Sequence, residues 1–193
     1  MKNQLLAGLL TAFIALPAFA ALKEGDKAPD FKIPASFAGK ASDYSLKAHL
    51  KKGPVVVYFY PSAYTKGCNI QAHTFSVNSE KFAAAGATVI GVSLDSIERL
   101  NKFSADPEFC AGKFPVGSDT NGRVAKSFEL DVKDAVEGKV DTRGATIDHG
   151  FAERTTFVIT PDGKIAATIG GLSPTENVAR ALEVVEQLSA KKS

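Results

Sequence analysis

A chain of 193 residues, 45% hydrophobic and 23% charged, is long and apolar enough to bury a sizeable core in one domain. Its formal net charge of +2, from 23 basic and 21 acidic residues, carries no nucleic-acid footprint and no polybasic membrane patch. Two cysteines are present, Cys68 and Cys110, and there are no repeats or low-complexity tracts.

Lys2 gives a short positive region, Leu5 to Leu16 is apolar, and Pro17-Ala18-Phe19-Ala20 supplies small residues. This is the pattern of a secretory signal peptide over residues 1–20, cleaved after Ala20. The alternative, an uncleaved anchor, needs about 20 apolar residues to span a bilayer, and the segment is shorter. The expectation is an exported, soluble protein, periplasmic or secreted, with one domain over residues 21–193. In an oxidising compartment two cysteines invite a disulfide, either permanent or formed and reduced in each catalytic cycle.

Gly25 to Phe31 reads as an extended segment punctuated by Pro29 and anchored by Phe31. Tyr44, Ser45, Leu46 and Leu50 suggest a short helical turn before Gly53, with His49 solvated among lysines. Val55 to Tyr60 is a continuous apolar, β-branched and aromatic run, so it predicts a strand buried on both faces. Pro61 ends it, since proline cannot donate to a ladder. After a polar turn, Cys68 stands where a helix begins. There, unpaired N–H groups and the positive end of the helix dipole favour thiolate over thiol. A buried structural cysteine is the plainer reading, and position alone leaves both open.

The helix after Cys68 should run to about Ala85, stopped by Gly86, with Ser76, Asn78 and Ser79 weakening its middle. Thr88 to Leu94 is the next buried strand, and Asp95 or Ser96 caps a helix to about Phe103. Cys110 lies in an irregular stretch from Pro107 to Pro115, a part of a fold that opens cheaply. His73, two turns into the first helix, reads as a surface or interface residue. Gly117 to Gly122 makes a turn and cap for a helix from about Arg123 to Phe128. Residues 132–149, rich in glycine and charge, form an irregular excursion that includes Asp148 and His149. Two β-rich runs, 154–159 and 164–169, flank Pro161-Asp162-Gly163 as a hairpin. Taken alone, Arg154 is an exposed strand-end arginine. Pro174 opens the last helix, whose Val178, Leu182, Val185 and Leu188 give one buried face. Strands alternating with helices argue α/β layers.

Three stretches carry a resemblance. Pro61, Thr65 and Cys68 stand as P-x-x-x-T-x-x-C at the end of the apolar strand, Gly25 to Phe31 as G-x-x-A-P-x-F, and Arg154 to Phe157 as R-x-T-F. Together they resemble the peroxiredoxins, and Phe-Tyr-Pro-x-x-x-Thr-x-Gly-Cys looks most like the Q-type, bacterioferritin-comigratory-protein-like branch. The resemblance implies a thioredoxin-like fold, a central mixed β-sheet with helices on both faces. It implies a thiol peroxidase acting on hydrogen peroxide and organic hydroperoxides, with Cys68 as attacking thiolate. Pro61 would shield it, Thr65 would bond cysteine and substrate, and Arg154 would support thiolate and peroxide. The familiar Q-type resolving position, five residues after Cys68, is His73 here. Cys110 resembles the variant with the resolving cysteine in the third helix, against the alternative of a structural thiol.

The implied partners are a peroxide and a thioredoxin-like dithiol reductant, with no metal or organic cofactor and a monomeric or homodimeric state. A related family of copper carriers uses two close cysteines plus a histidine, and the second cysteine is missing here. One rival reading is a thioredoxin-type thiol–disulfide oxidoreductase, which needs a C-x-x-C that the chain lacks. The other is a binding module with a permanent bridge.

Overall fold

The segment ahead of the first strand is tied down by its backbone. In this computed structural model, which describes residues 21–191, the Ala28 amide donates to the Gly163 carbonyl at 2.9 Å and Phe31 is buried. The predicted signal segment, residues 1–20, lies outside the described residues. A hairpin follows that inspection of the sequence missed: β1 (Lys32–Phe37) and β2 (Lys40–Ser45) pair antiparallel around Ala38-Gly39. Both turn residues take positive φ, 50° and 82°, the two-residue turn whose twist matches its strands. Alanine in place of the usual asparagine or aspartate at the first position conceals it.

The Ser45 hydroxyl accepts from the Ala48 amide and caps α1 (Leu46–Leu50). His49 is not simply solvated, as expected. It is half-buried, its ring stacked on Tyr44 with centroids 4.0 Å apart and Nδ1 2.9 Å from the Ser45 carbonyl. One helical turn brings the ring back over the strand end, which a composition argument based on neighbouring lysines could not see.

The strand β3 (Val55–Phe59) is buried throughout. Its alternation divides the core. Val56 and Tyr58, with Tyr60 just beyond, enter one hydrophobic cluster, and Val55, Val57 and Phe59 enter the other. Each such fully buried side chain contributes about 1.5–3 kcal/mol. The first cluster lies beneath α2 (Lys66–Val77), α3 (Ser79–Ala84) and α4 (Ile97–Ala105). The break between α2 and α3 falls at Asn78, whose Nδ2 donates to the Thr74 carbonyl at 2.9 Å. That is where Ser76, Asn78 and Ser79 weaken the sequence. Between α3 and α4 runs β4 (Thr88–Ser93), and Ser96 caps α4. Gly91 of β4 lets the Tyr58 ring cross the sheet, since a Cβ there would stand 2.6 Å from Cζ.

A three-residue strand, β5 (Val116–Ser118), occupies what the sequence suggested was the start of a turn. It is too short to show a period. Then come α5 (Arg123–Ser127) and a two-stranded ribbon of β6 (Val132–Lys133) and β7 (Phe151–Ala152). The predicted hairpin is β8 (Thr155–Ile159) and β9 (Ile165–Gly170). The last helix, α6 (Pro174–Ala190), has proline in its first turn and a Ser173–Glu176 capping box.

The main sheet has seven strands in the order β2-β1-β5-β4-β3-β8-β9. The β5-β4-β3 centre is parallel and the flanking pairs are antiparallel. Packing α6 with α2–α4 on one face and α1 with α5 on the other gives the expected thioredoxin-like arrangement of a mixed sheet between helices.

Candidate active site

At the C-terminal end of β3 the chain turns sharply through Pro61 to Tyr64 before α2. Tyr64 has φ of 61°, a left-handed conformation that costs a non-glycine residue on the order of 1–3 kcal/mol. The excursion between β6 and β7 holds it there. The Thr142 amide and hydroxyl both donate to the Tyr64 carbonyl, at 2.9 and 2.8 Å, and the Arg143 guanidinium lies over its ring. Thr65 is the N-cap residue of α2. Its hydroxyl donates to the Ser62 carbonyl at 2.9 Å and not to Cys68, so its lone pairs are what it can offer to an incoming donor.

Cys68 lies in the first turn of α2 and is 1% exposed. It sits among the first-turn N–H groups, which have no intrahelical acceptor. Arg154, just before β8, brings Nη2 to 3.2 Å from Cys68 Sγ. Gly67 leaves room for the approach: a Cβ at that position would stand 3.1 Å from Arg154 Nη2, so the guanidinium would have to shift by a few tenths of an ångström. Arg154 Nη1 donates to Gln71 Oε1 one helical turn beyond Cys68. Gln71 Nε2 in turn donates to Asn177 Oδ1 at 3.0 Å on α6. Pro61 and Arg154 share the wall of a hollow of about 320 Å³ that also meets Lys133 and Phe151 of the ribbon. A larger cavity, about 590 Å³, lies near the starts of α4 and α5 and includes none of these residues.

Behind the loop lies a buried charged cluster. Asp95, fully buried, accepts from the Ala63 amide at 2.7 Å, the Ser62 hydroxyl at 2.9 Å and the Ser93 hydroxyl at 2.7 Å. Arg99 Nε stands 2.9 Å from Asp95 Oδ1. Its Nη2 donates to the Ala63 carbonyl at 2.9 Å and to Asp141 at 2.7 Å. His149 Nε2 is 2.8 Å from Asp95 Oδ1, and Nδ1 is 2.7 Å from the Gly150 carbonyl. Both ring nitrogens therefore face acceptors, and only the doubly protonated ring can donate to both. Burial pushes the imidazole down, but the bond and charge of Asp95 outweigh it and leave it raised. Burial likewise pushes Asp95 up, while His149, the Ala63 amide and Ser93 outweigh it and hold the carboxyl below its usual range. The cluster pins residues 62–63, so it anchors the turn that presents Cys68.

Cys110 lies in tight turns after α4, fully buried in the same hydrophobic cluster as Cys68, and both cysteines are free thiols. Ala111 and Gly112 have φ of 50° and 63°, and their amides donate back to Asp106 and Ser104 at 2.9 and 2.8 Å. Burial, then Asp106, pushes the Cys110 thiol well above its ordinary value. His73 is exposed, with Nδ1 3.0 Å from the Glu108 carbonyl, so it ties α2 to the segment carrying Cys110. Among the described residues no group of three or more His, Cys, Asp or Glu is placed to hold a metal ion.

The structure thus brings together Cys68 and Arg154, sets Pro61 beside Arg154, and places Thr65 at the cap of the same helix. Gln71 and Asn177 were missed in the sequence, as were Asp95, Arg99 and Asp141 as a cluster. Two signals were available: Gln71 is three residues after Cys68 on one helix face, and Asn177 interrupts the apolar stripe of the last helix beside Val178.

The profile of the AhpC/TSA family matches residues 24–168. The chain is similar to peroxiredoxin Bcp of Escherichia coli (strain K12), 34% identical over 144 residues that cover 75% of this chain and 83% of that protein. Among solved structures, peroxidoxin BcpB of Mycobacterium tuberculosis superposes with a TM-score of 0.71 at 30% identity, covering 86% of this chain and 98% of that one. The bacterioferritin comigratory protein of Xanthomonas campestris, described with alkyl peroxide reduction activity, gives a TM-score of 0.64 at 26% identity, covering 81% and 92%.

Proposed function

From the premise that this chain belongs to the AhpC/TSA family of peroxiredoxins, we propose that Cys68 is the nucleophile of its thiol peroxidase reaction. The Cys68 thiolate attacks the terminal oxygen of a hydroperoxide. The O–O bond breaks, Cys68 becomes sulfenic acid, and the departing alkoxide or hydroxide takes a proton. The Arg154 contact, Nη2 at 3.2 Å from Sγ, is the observation that carries this reading. A guanidinium there stabilises the thiolate and has further donors for the peroxide oxygens as charge moves onto them. Pro61, in the wall of the hollow beside Arg154, shields the cysteine, and Thr65 accepts from the peroxide.

The second half is a condensation. Cys110, deprotonated, attacks the Cys68 sulfenic sulfur, forms the S–S bond and expels hydroxide, which is released as water. Cys110 is buried and its thiol raised, so this requires the turns around it to open. A thioredoxin-like dithiol protein then reduces the disulfide by exchange. Hydrogen peroxide and alkyl hydroperoxides are the proposed substrates, supported for the latter by the hollow beside Arg154 and by the likeness to the X. campestris protein. The N-terminal pattern supports export to the periplasm or beyond. The test is peroxide consumption with dithiothreitol by wild type and Cys68→Ser. Turnover in the first and none in the second is expected, and substantial turnover by Cys68→Ser overturns the assignment.

A further inference from the structure

Arg154 is held on Cys68 by a chain of amides that can run in one direction only. The chain starts at the Ile169 carbonyl of β9, which accepts from Asn177 Nδ2 at 2.9 Å. A carbonyl cannot donate, so the amine end of Asn177 must face it. The oxygen end then faces the other way, where it accepts from Gln71 Nε2 at 3.0 Å and from the Thr156 hydroxyl at 2.6 Å. With its amine end used, Gln71 turns its carbonyl oxygen to Arg154 Nη1. The guanidinium is planar, so holding Nη1 aims Nη2 at Cys68 Sγ.

Reversing the chain fails at both ends. Asn177 would set oxygen against the Ile169 oxygen, and Gln71 would set an amine against a cation. Gln71, Asn177 and Thr156 are all fully buried, so water offers no substitute partner. Thr156 and Ile169 are a directly opposed pair of β8 and β9, so one rigid ladder position supports the amide. The capping box of α6 fixes the helix turn from which Asn177 projects.

We propose that Asn177 is a positioning residue for the peroxide step: anchored by the Ile169 carbonyl, it sets Gln71 so that Arg154 is turned onto Cys68. The inference rests on the proposed roles of Cys68 and Arg154. Thr156 steadies Asn177 without setting its polarity, which the Ile169 carbonyl fixes by itself.

The experiment measures the second-order rate constant for hydrogen peroxide across pH, with thermal stability, in the full chain. Asn177→Leu should fold, slow the reaction about 3- to 10-fold, the worth of one lost hydrogen bond, and move the inflection of the rate profile to higher pH. In an Arg154→Met background, Asn177→Leu should have no further effect, because it acts through Arg154. Should Asn177→Leu fail to fold, Gln71→Met removes the acceptor one step nearer and carries the same test. An unchanged rate, or the same slowing with and without Arg154, overturns the proposal. If Arg154→Met or Cys68→Ser is itself fully active, the underlying functional reading has failed instead.

Discussion

Replacing Arg154 by methionine keeps an unbranched side chain but removes the guanidinium that stands 3.2 Å from Cys68 Sγ. Two unit charges at that separation interact by about 5 kcal/mol at an effective dielectric of about 20. Arg154 is half-buried and shared with Gln71, so solvent screening reduces this figure. The contribution of a hydrogen bond to a charged group, about 1.5–3 kcal/mol, is the better measure. At about 1.4 kcal/mol per tenfold, Arg154→Met should react with peroxide about 10- to 100-fold more slowly. Two effects make up this loss, and pH separates them. A smaller thiolate fraction slows the variant at neutral pH and is recovered in alkali. Lost stabilisation of the departing oxygen persists at every pH. Stopped-flow rate constants from pH 5 to 10, with a thiol titration of each protein, measure both. A variant whose rate profile and titration superpose on the wild type's would refute the reasoning.

Cys110→Ser should still react once with peroxide, but its turnover with a dithiol protein reductant should fall while a small thiol sustains it. Normal cycling with the protein reductant, and a free Cys110 in the oxidised wild type, would make that cysteine structural. The His149–Asp95 pair should give pH-dependent stability. His149 is raised, so its contribution is complete below its ordinary 6.5 and is lost as pH rises through the higher folded value. Asp95 is lowered, so its contribution is complete above its ordinary 3.8 and is lost as pH falls through the lower folded value. His149→Gln should therefore cost on the order of 1 kcal/mol at pH 5.5 and less at pH 8.5 by urea unfolding. An equal cost at both would count against a charged His149. Protein recovered from the exported fraction of expressing cells should begin at Ala21, and a chain beginning at Met1 would speak against cleavage.

The parts of the fold legible in the sequence were those where one local rule dominates. Val55 to Phe59 is buried on both faces, so its strand is an unbroken apolar run. Ser96 caps one helix, Pro174 opens another, and Asn78 marks a weak point that became a break. What stayed hidden depends on pairing across the chain. The three residues of β5 acquire strand character from β1 and β4 on either side. His49 is defined by the ring of Tyr44, which reaches it only once β2 and α1 are in place. The same division holds at the site. Cys68, Pro61, Thr65 and Arg154 stand in short local motifs, but Gln71 and Asn177 are 106 residues apart and meet only when α6 packs on α2. The excursion at 132–149 offered glycine and charge. That it clamps the turn ahead of Cys68 through Asp141, Thr142 and His149 follows from contacts its own sequence does not encode.

In the proposed reaction, Cys68 Sγ is the atom that peroxide oxidises. The direct measurement is to treat Cys110→Ser with one equivalent of hydrogen peroxide in the presence of dimedone, digest it, and locate the adduct by mass spectrometry. A sulfenic-acid adduct is expected on the peptide containing Cys68, in near-stoichiometric yield. Consumption of the peroxide with Cys68 recovered as the unmodified thiol would contradict it.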